Sequence, residues 1–197
     1  MRKFSVLNSL QQSQGNHPKN FIVMVAIAAS TTLAGCSSVT DSGKEPAYTP
    51  EVRQISEARK EAKDISSNLF DAIGLQGRIS QPGPGVSQCG DKGPAKFYTI
   101  HHPWSLSGVS VEDMKQAMAR LKENLPKNDW KIVSYGPDKS PSKSLELIAD
   151  STKRKFSVNI RLLDRTQRAS SNAPSMIYVD LTSACFQVPE GKTVDEY

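Results

Sequence analysis

The sequence predicts an α+β fold, a two-layer sandwich in which an antiparallel sheet of about five strands carries two helices on one face. Two segments place apolar residues at the spacing of an α-helix, and five have the short, alternating or β-branched pattern of strands. Their order along the chain is α-β-α-β-β-β-β. Helices segregated from a run of consecutive strands are typical of an antiparallel sheet that is covered on one side.

The first helix is predicted over residues 51–73. Its apolar residues recur at intervals of three and four and form one stripe, which consists of Val52, Ile55, Ala58, Ala62, Ile65, Leu69 and Ile73. Pro50 precedes the stripe and Gly74 follows it, as expected at the two ends of a helix.

A Gly/Pro-rich connection, residues 74–95, separates this helix from the first predicted strand, residues 96–102. A connection of this length inside a compact domain is unusual. We expect Pro103 to end the strand and Trp104 to pack under the rim of the sheet.

The second helix is predicted from Ser110 to Leu125. Ser110 is a good N-cap residue, and Asp113 three positions later gives a variant of the capping box. The expected buried stripe consists of Met114, Ala117, Met118, Leu121 and Leu125. We expect Pro126 to end the helix, because proline lacks the amide donor that another turn needs.

Four further strands are predicted, over residues 130–135, 145–149, 156–162 and 177–185. The last two alternate apolar with polar residues, which is the pattern of a half-buried strand. The solvated face of the sheet is expected to carry Tyr135, Ser157, Asn159, Arg161, Tyr178, Asp180 and Thr182. Residues 189–197 are expected to form a loose C-terminal tail, so the α+β domain is predicted over residues 51–188.

The positive charge of the chain is concentrated at its start. The 197 residues include 25 Lys and Arg against 20 Asp and Glu, and no acidic residue occurs before Asp41. Without residues 1–35, 22 basic residues face 20 acidic ones, so the side-chain charge falls from +5 to +2. Nucleic-acid binding would need a strong basic stripe, and we predict no nucleic-acid partner.

Residues 1–35 are predicted to be a secretory signal peptide. A basic segment without acidic residues precedes an uninterrupted apolar run over residues 21–29. That run is too short to span a bilayer, which takes about 20 residues. Leu33-Ala34-Gly35-Cys36 follows it, and residues 36–50 are polar and contain two prolines. They are predicted to be a flexible tether that holds the domain clear of the lipid headgroups.

Leu33-Ala34-Gly35-Cys36 resembles the lipobox of bacterial lipoproteins. The resemblance implies cleavage between Gly35 and Cys36, a diacylglycerol on the Cys36 thiol, and an acyl chain such as palmitate on the new amine. Several acyl chains anchor a protein firmly, whereas one is marginal. We therefore expect a lipid-anchored protein on the extracytoplasmic face of the cell membrane, with membrane lipid as a partner. A cleaved signal peptide with a chance cysteine and an uncleaved signal anchor are the alternatives.

Cys89 and Cys185 are predicted to form a disulfide. With Cys36 assigned to lipid, they remain as a pair in an oxidising compartment. The bond would tie the Gly/Pro-rich connection to the end of the last strand. A metal site with His101 and His102 is the alternative, but no common metal-ligand spacing is present, and adjacent strand residues point to opposite faces. We predict no metal and no cofactor.

His101, His102 and Trp104 are the candidate ligand-binding face, because two imidazoles and an indole come together beside Pro103. The alternative is that they form only the packed end of a strand. No recognised catalytic motif is present, so we assign no catalytic residue.

Lys153-Arg154-Lys155 is the centre of the one basic concentration in the mature chain. These residues could touch anionic lipid headgroups or acidic cell-wall polymers. The alternative is a solvated hairpin turn.

The mature chain also resembles small lipoproteins of unassigned function from actinobacteria, streptomycetes especially. The residues that carry this resemblance are the lipobox, His102-Pro103-Trp104, Leu125-Pro126, residues 130–133, Gly136-Pro137-Asp138, residues 156–162 and residues 183–186. It covers most of residues 50–190 and implies no activity. We therefore predict a lipid-anchored protein whose domain binds an unknown ligand or envelope protein, or supports the envelope, without catalysis. A cell-envelope enzyme with an unrecognised site and an accessory subunit of a membrane complex are the alternatives.

Overall fold

A computed structural model describes residues 48–80, 82–89, 96–166 and 173–194. The predicted signal peptide, Cys36 and most of the predicted tether lie outside these residues. The described part contains helices α1 (Ile55–Ile73) and α2 (Val111–Asn124), followed by a 3₁₀ turn over Leu125–Asn128. Its strands are β1 (Arg78–Ile79), β2 (Gly85–Gln88), β3 (Phe97–Ser107), β4 (Lys131–Pro137), β5 (Leu145–Ser151), β6 (Phe156–Leu163), β7 (Met176–Ser183) and β8 (Phe186–Gln187). None of its helices is long and apolar enough to cross a membrane.

The strands form one open antiparallel sheet in the order β1-β3-β7-β6-β5-β4, and β2 and β8 also pair with β3. The predicted α+β class with an antiparallel sheet is confirmed. The described sheet has eight strands rather than about five. Strands β3 to β7 overlap the five predicted ones, and the three additional strands are short edge segments.

One face of the sheet and both helices share a single hydrophobic core. Alternate residues of β3, β6 and β7 are buried, and they join the apolar stripes of α1 and α2 in one cluster. Burying a large aliphatic side chain contributes about 1.5–3 kcal/mol, so these stripes hold the helices on the sheet. Val194, in the segment predicted to be a loose tail, is also buried in this cluster.

Helix α1 begins at Ile55, four residues later than predicted, because the preceding residues pair with β8. The Gln187 amide donates to the Glu51 carbonyl at 2.9 Å, and the Arg53 amide donates to the Gln187 carbonyl at 2.9 Å. These bonds make a parallel bridge that leaves the Val52 side chain exposed. The prediction that Val52 joins the buried stripe is therefore wrong.

Strand β3 continues through Pro103, and the prediction that this proline ends the strand is wrong. The Ser105 amide donates to Ser80 Oγ, and the Ser105 carbonyl accepts from the Ser80 amide. Two residues earlier, the backbone of Pro103 faces the same side, away from β7. Strands β1 and β2 leave a gap there, so the missing proline donor breaks no ladder hydrogen bond.

Strand β4 contains a β-bulge at Val133, which reverses the alternation of its side chains. The register with β5 shifts between Ile132 and Ser134. Tyr135 consequently lies opposite the buried Leu147 and packs against the core. Its predicted place on the solvated face is wrong, because a bulge inserts one residue and moves the following residues to the opposite face.

The predicted start of α2 and the predicted end of α1 are present, whereas Pro126 lies inside the 3₁₀ turn that follows α2. The Ser110 hydroxyl oxygen accepts from the Asp113 amide at 3.1 Å and caps α2. Gly74 has φ of 64° and its amide donates to the Phe70 carbonyl at 3.2 Å, which ends α1. A left-handed backbone conformation just after a helix favours glycine.

Cys89 and Cys185 form the predicted disulfide, with Cα atoms 6.0 Å apart. This distance lies within the roughly 4.4–6.8 Å that disulfides require. Cys89 follows β2, and Cys185 lies between β7 and β8. The bond therefore fastens the Gly/Pro-rich connection to the end of the sheet, as predicted, although β7 itself ends at Ser183.

A double variant, Cys89→Ala with Cys185→Ala, is expected to lose about 2–5 kcal/mol of the free energy of unfolding, because it releases a long loop in the unfolded chain. Urea unfolding of the oxidised protein and the variant measures this loss. Reductant should lower the urea midpoint of the wild type toward that of the variant, and it should leave the midpoint of the variant unchanged. Superimposable unfolding curves for the two proteins would contradict the expectation.

Candidate functional site

The three residues of the predicted ligand face do not share one face of the sheet. His101 lies on the open side, where its Nδ1 is 3.2 Å from Thr182 Oγ1 and its Nε2 is 3.1 Å from Thr99 Oγ1. His102 and Trp104 alternate with it and are buried on the helix side. Because side chains alternate along a strand, the structure brings His102 and Trp104 together and separates both from His101.

His102 and Trp104 line a cleft of about 620 Å³ between α1, β3 and the residues on either side of position 81. We call it the His102–Trp104 cleft. Its apolar walls are formed by Phe70, Ile79, Pro82 and Trp104, and its polar walls by Lys63, Ser66, Ser67, Asp71, Ser80 and His102. The volume lies within the roughly 300–1,000 Å³ of small-molecule sites.

Two aromatic rings form the apolar part of the cleft. The rings of Phe70 and Trp104 meet edge to face, with centroids 6.4 Å apart and planes at 69°. This geometry is favourable for aromatic pairs. Since Phe70 comes from α1 and Trp104 from β3, the pair joins the helix to the sheet at the base of the cleft.

The His102 ring links α1 to the opposite wall of the cleft. Its Nδ1 is 2.8 Å from Ser66 Oγ, and its Nε2 is 3.0 Å from the Pro82 carbonyl oxygen. A carbonyl oxygen can only accept, so Nε2 carries the proton, and Nδ1 of the neutral ring accepts from the Ser66 hydroxyl. The Ala62 carbonyl oxygen lies 3.4 Å from Nδ1, but in this tautomer both atoms are acceptors, so Ser66 and Pro82 are the bonded partners. The ring is therefore held on both nitrogens.

Ser66, His102 and Trp104 are largely closed off from solvent, with exposed fractions of 7%, 9% and 4%. Trp104 Nε1 has no hydrogen-bond partner in the described part of the chain. A buried donor without a partner costs about 1–3 kcal/mol. The indole is thus held by packing alone in the described part of the chain.

The sequence prediction missed Ser66. This serine lies within the buried stripe of α1, four residues after Ala62 and three before Leu69. A small polar residue at an apolar position of a helix was the available signal. A buried hydroxyl needs a partner, and His102 supplies it across the interface between helix and sheet.

The described residues contain no group of three or more His, Cys, Asp or Glu side chains that could hold a metal. The alternative metal site needed Cys89 and Cys185, and the disulfide occupies both thiols. His101 and His102 also lie on opposite faces of β3. The two cysteines are therefore joined to each other and are not available as ligands beside the histidines.

Two carboxyl groups have lowered pKa values, and both stabilise turns away from the cleft. The hydrogen bond from the Ser140 hydroxyl holds the pKa of Asp138 below its ordinary value. The backbone amide and the hydroxyl of Thr166 do the same for the pKa of Asp164. Each acceptor bonds to the residue two positions later, which is the pattern of an Asx turn. Neither carboxylate is placed for chemistry at His102.

Comparisons with protein-family models, curated proteins and solved structures find no match to this chain. The function of the cleft is therefore inferred from its own residues. They offer two aromatic rings, a histidine held on both nitrogens, and a lysine and an aspartate at the exposed rim. Such a wall can bind a molecule that has both apolar and polar parts.

Ser66→Ala is expected to lower the free energy of unfolding by about 1–2 kcal/mol more than Ser67→Ala, because it leaves His102 Nδ1 buried without a donor. Ser67 is the adjacent, exposed serine of the same helix, so the change in helix propensity cancels in the comparison. Urea unfolding at about pH 8, where an ordinary histidine is neutral, measures both variants. Equal losses would show that the Ser66–His102 bond adds no stability.

Proposed function

We propose that this chain is a lipoprotein, anchored through Cys36 to the extracytoplasmic face of the cell membrane, whose domain binds an amphipathic small molecule without converting it. The observation that carries the binding role is the His102–Trp104 cleft, with aromatic rings at its base and charged side chains at its rim. The lipid anchor rests on the sequence, through the resemblance of residues 33–36 to the bacterial lipobox and of the mature chain to small actinobacterial lipoproteins.

The disulfide supports an extracytoplasmic location. Structural disulfides persist in oxidising compartments and are rare in the cytosol. The Cys89–Cys185 bond joins two segments that are 96 residues apart in the chain. An exported domain with this bond fits a protein that is secreted and then retained at the membrane by acyl chains.

The fold fits a binding domain built as a two-layer sandwich with both helices on one face of the sheet. Apolar residues of α1, α2 and the sheet belong to one core cluster. The cleft opens at the margin of that core, between α1 and the short strands that follow it. A ligand there would contact α1 on one side and β3 on another.

The residues of the cleft define the ligand that we propose. Phe70, Ile79 and Trp104 present an apolar surface that favours a ring or a short hydrocarbon chain. Lys63 and Asp71 lie on α1 at the exposed rim, eight residues apart, which is about 12 Å along a helix. A small molecule with an apolar body and polar ends therefore matches the cleft.

A cell-envelope enzyme is the second candidate, and one observation favours it. Ser66 Oγ lies 2.8 Å from His102 Nδ1, which is the distance between a nucleophile and its base. Both side chains are more than nine-tenths buried, however, and His102 Nε2 is bonded to a backbone carbonyl. This arrangement favours a structural role. Labelling of Ser66 by a fluorophosphonate probe would favour the enzyme instead.

Cys36→Ala is expected to abolish acylation. Cells grown with an alkyne fatty acid should yield a tagged wild-type protein, because the lipobox directs a diacylglycerol to this thiol. Ser38→Ala is the matched control, since it changes the same segment, leaves residues 33–36 and the disulfide intact, and should keep the tag. Continued labelling of the Cys36→Ala protein would show that the lipoprotein assignment is wrong.

Ile79→Asp is expected to reduce the amount of bound small molecule at least about tenfold, because a carboxylate in the apolar wall opposes binding of an apolar group. Mass spectrometry of molecules released from the purified native protein measures this. Val133→Asp, at an exposed apolar position on the opposite edge of the sheet, should leave the amount unchanged.

The wild type and the same two variants also separate the remaining alternatives. If crosslinking in cells captures an envelope protein, and Ile79→Asp does not reduce that capture, the accessory-subunit alternative gains support. If the wild type and both variants release no small molecule, the binding role of the cleft is wrong.

A further inference from the structure

The described chain begins at one end of the sheet, beside the disulfide. The Cys185 amide donates to the Tyr48 hydroxyl oxygen at 2.7 Å, and that hydroxyl lies 3.4 Å from the Cys185 carbonyl oxygen, to which it donates. Cys36 is 12 positions upstream of Tyr48, and that length of chain spans at most about 40 Å. The proposed lipid anchor therefore lies within reach of this end of the domain.

Exposed lysines lie on both sides of the Cys185 segment. The Ala184 amide donates to the Lys155 carbonyl at 2.7 Å, and the Val188 amide donates to the Lys96 carbonyl at 2.9 Å. Lys153 belongs to the same β5–β6 turn as Lys155, and all three lysines are exposed. The basic concentration found in the sequence is thus next to the point where the tether joins the domain.

Few acidic side chains neutralise these lysines. Lys153 Nζ lies 3.5 Å from Asp129 Oδ2, and both side chains are mostly exposed, so the pair is weak. Lys96 and Lys155 form no ion pair with the described residues. Two acidic residues, Glu51 and Glu190, are exposed on the segments that pair at this end, and Glu51 is bonded to Arg53. The end of the domain therefore keeps a positive charge.

Two exposed apolar side chains accompany the lysines. Tyr48 is 49% exposed and Val52 is 58% exposed, and they are two of the four large apolar residues exposed in the described chain. Both belong to the segment that docks beside β8. The Tyr48 hydroxyl is bonded to the Cys185 backbone, so the exposed remainder of this side chain is the part that lipid could contact.

We infer that this end of the domain lies directly on an anionic lipid surface. The membrane-facing patch, as we name it, consists of Tyr48, Val52, Lys96, Lys153 and Lys155. Its lysines attract the negative headgroups, and its two apolar residues can contact the interfacial region. The tether keeps the patch close to the membrane. The inference rests on the proposed lipid anchor. It differs from the expectation that the tether holds the domain clear of the headgroups.

Lysine labelling of the reconstituted native lipoprotein tests this orientation. The protein is placed in vesicles of phosphatidylcholine alone or mixed with phosphatidylglycerol, and mass spectrometry follows acetylation of each lysine. Lys96, Lys153 and Lys155 should be labelled several-fold more slowly in the anionic vesicles, and high salt should remove the protection. Lys139 and Lys143, in the turn at the other end of the β4–β5 hairpin, should be labelled at equal rates in both.

Two matched double variants test the charge. Lys153→Gln with Lys155→Gln should weaken docking about 30-fold, since each lysine near an anionic surface contributes about fivefold, and Lys96 should lose its protection. Lys139→Gln with Lys143→Gln should leave Lys96 protected. The pairs are comparable because Lys155 and Lys143 both have positive φ, 61° and 48°, so each variant changes one left-handed position.

The outcomes separate this inference from the proposed anchor. A protein that floats with both kinds of vesicle but shows no protection overturns the membrane-facing patch and keeps the anchor. If the three lysines of the patch are protected equally in neutral and anionic vesicles, the proposed role of charge is wrong. A protein that floats only with anionic vesicles supports the patch and overturns the anchor, and one that floats with neither overturns both.

Discussion

The alternation of side chains along β3 is the constraint on which most of this structure depends. Strand β3 pairs with four other strands, and one of its faces is buried against α1 while the other stays half-exposed. Since neighbouring side chains of a strand must point to opposite faces, His101 and His102 separate, whereas His102 and Trp104 share the helix side. The cleft follows from that second pairing, because α1 can cover this face only by packing around an indole and an imidazole.

The regular parts of the fold could be predicted from the spacing of apolar residues and from local capping rules. Strands β6 and β7 alternate apolar with polar residues, and the buried set in the structure is the predicted one, except that β7 ends at Ser183. The stripes of α1 and α2, the Ser110 cap and the Gly74 end follow from local rules. Such features depend on neighbouring residues, and these are visible in the sequence.

The irregular parts depend on contacts between distant residues, and the sequence does not show them. The bulge at Val133 is fixed by the register between β4 and β5, and nothing local marks it. Pro103 stays in a strand because β1 and β2 leave a gap beside it. Ser66 becomes a site residue only because α1 crosses β3 at His102. Each correction arises where tertiary pairing overrides a local preference.

The two proposed surfaces lie at different levels of the same strand. The membrane-facing patch adjoins Phe97 at the start of β3, and the cleft begins at His102 and Trp104, five to seven residues farther along. At about 3.4 Å per residue, this separation is about 17–24 Å, which is more than a headgroup layer. If the patch rests on the membrane with β3 running away from it, the cleft therefore opens into the aqueous phase above it. A ligand from that phase, rather than a membrane lipid, is the molecule that such a cleft would meet.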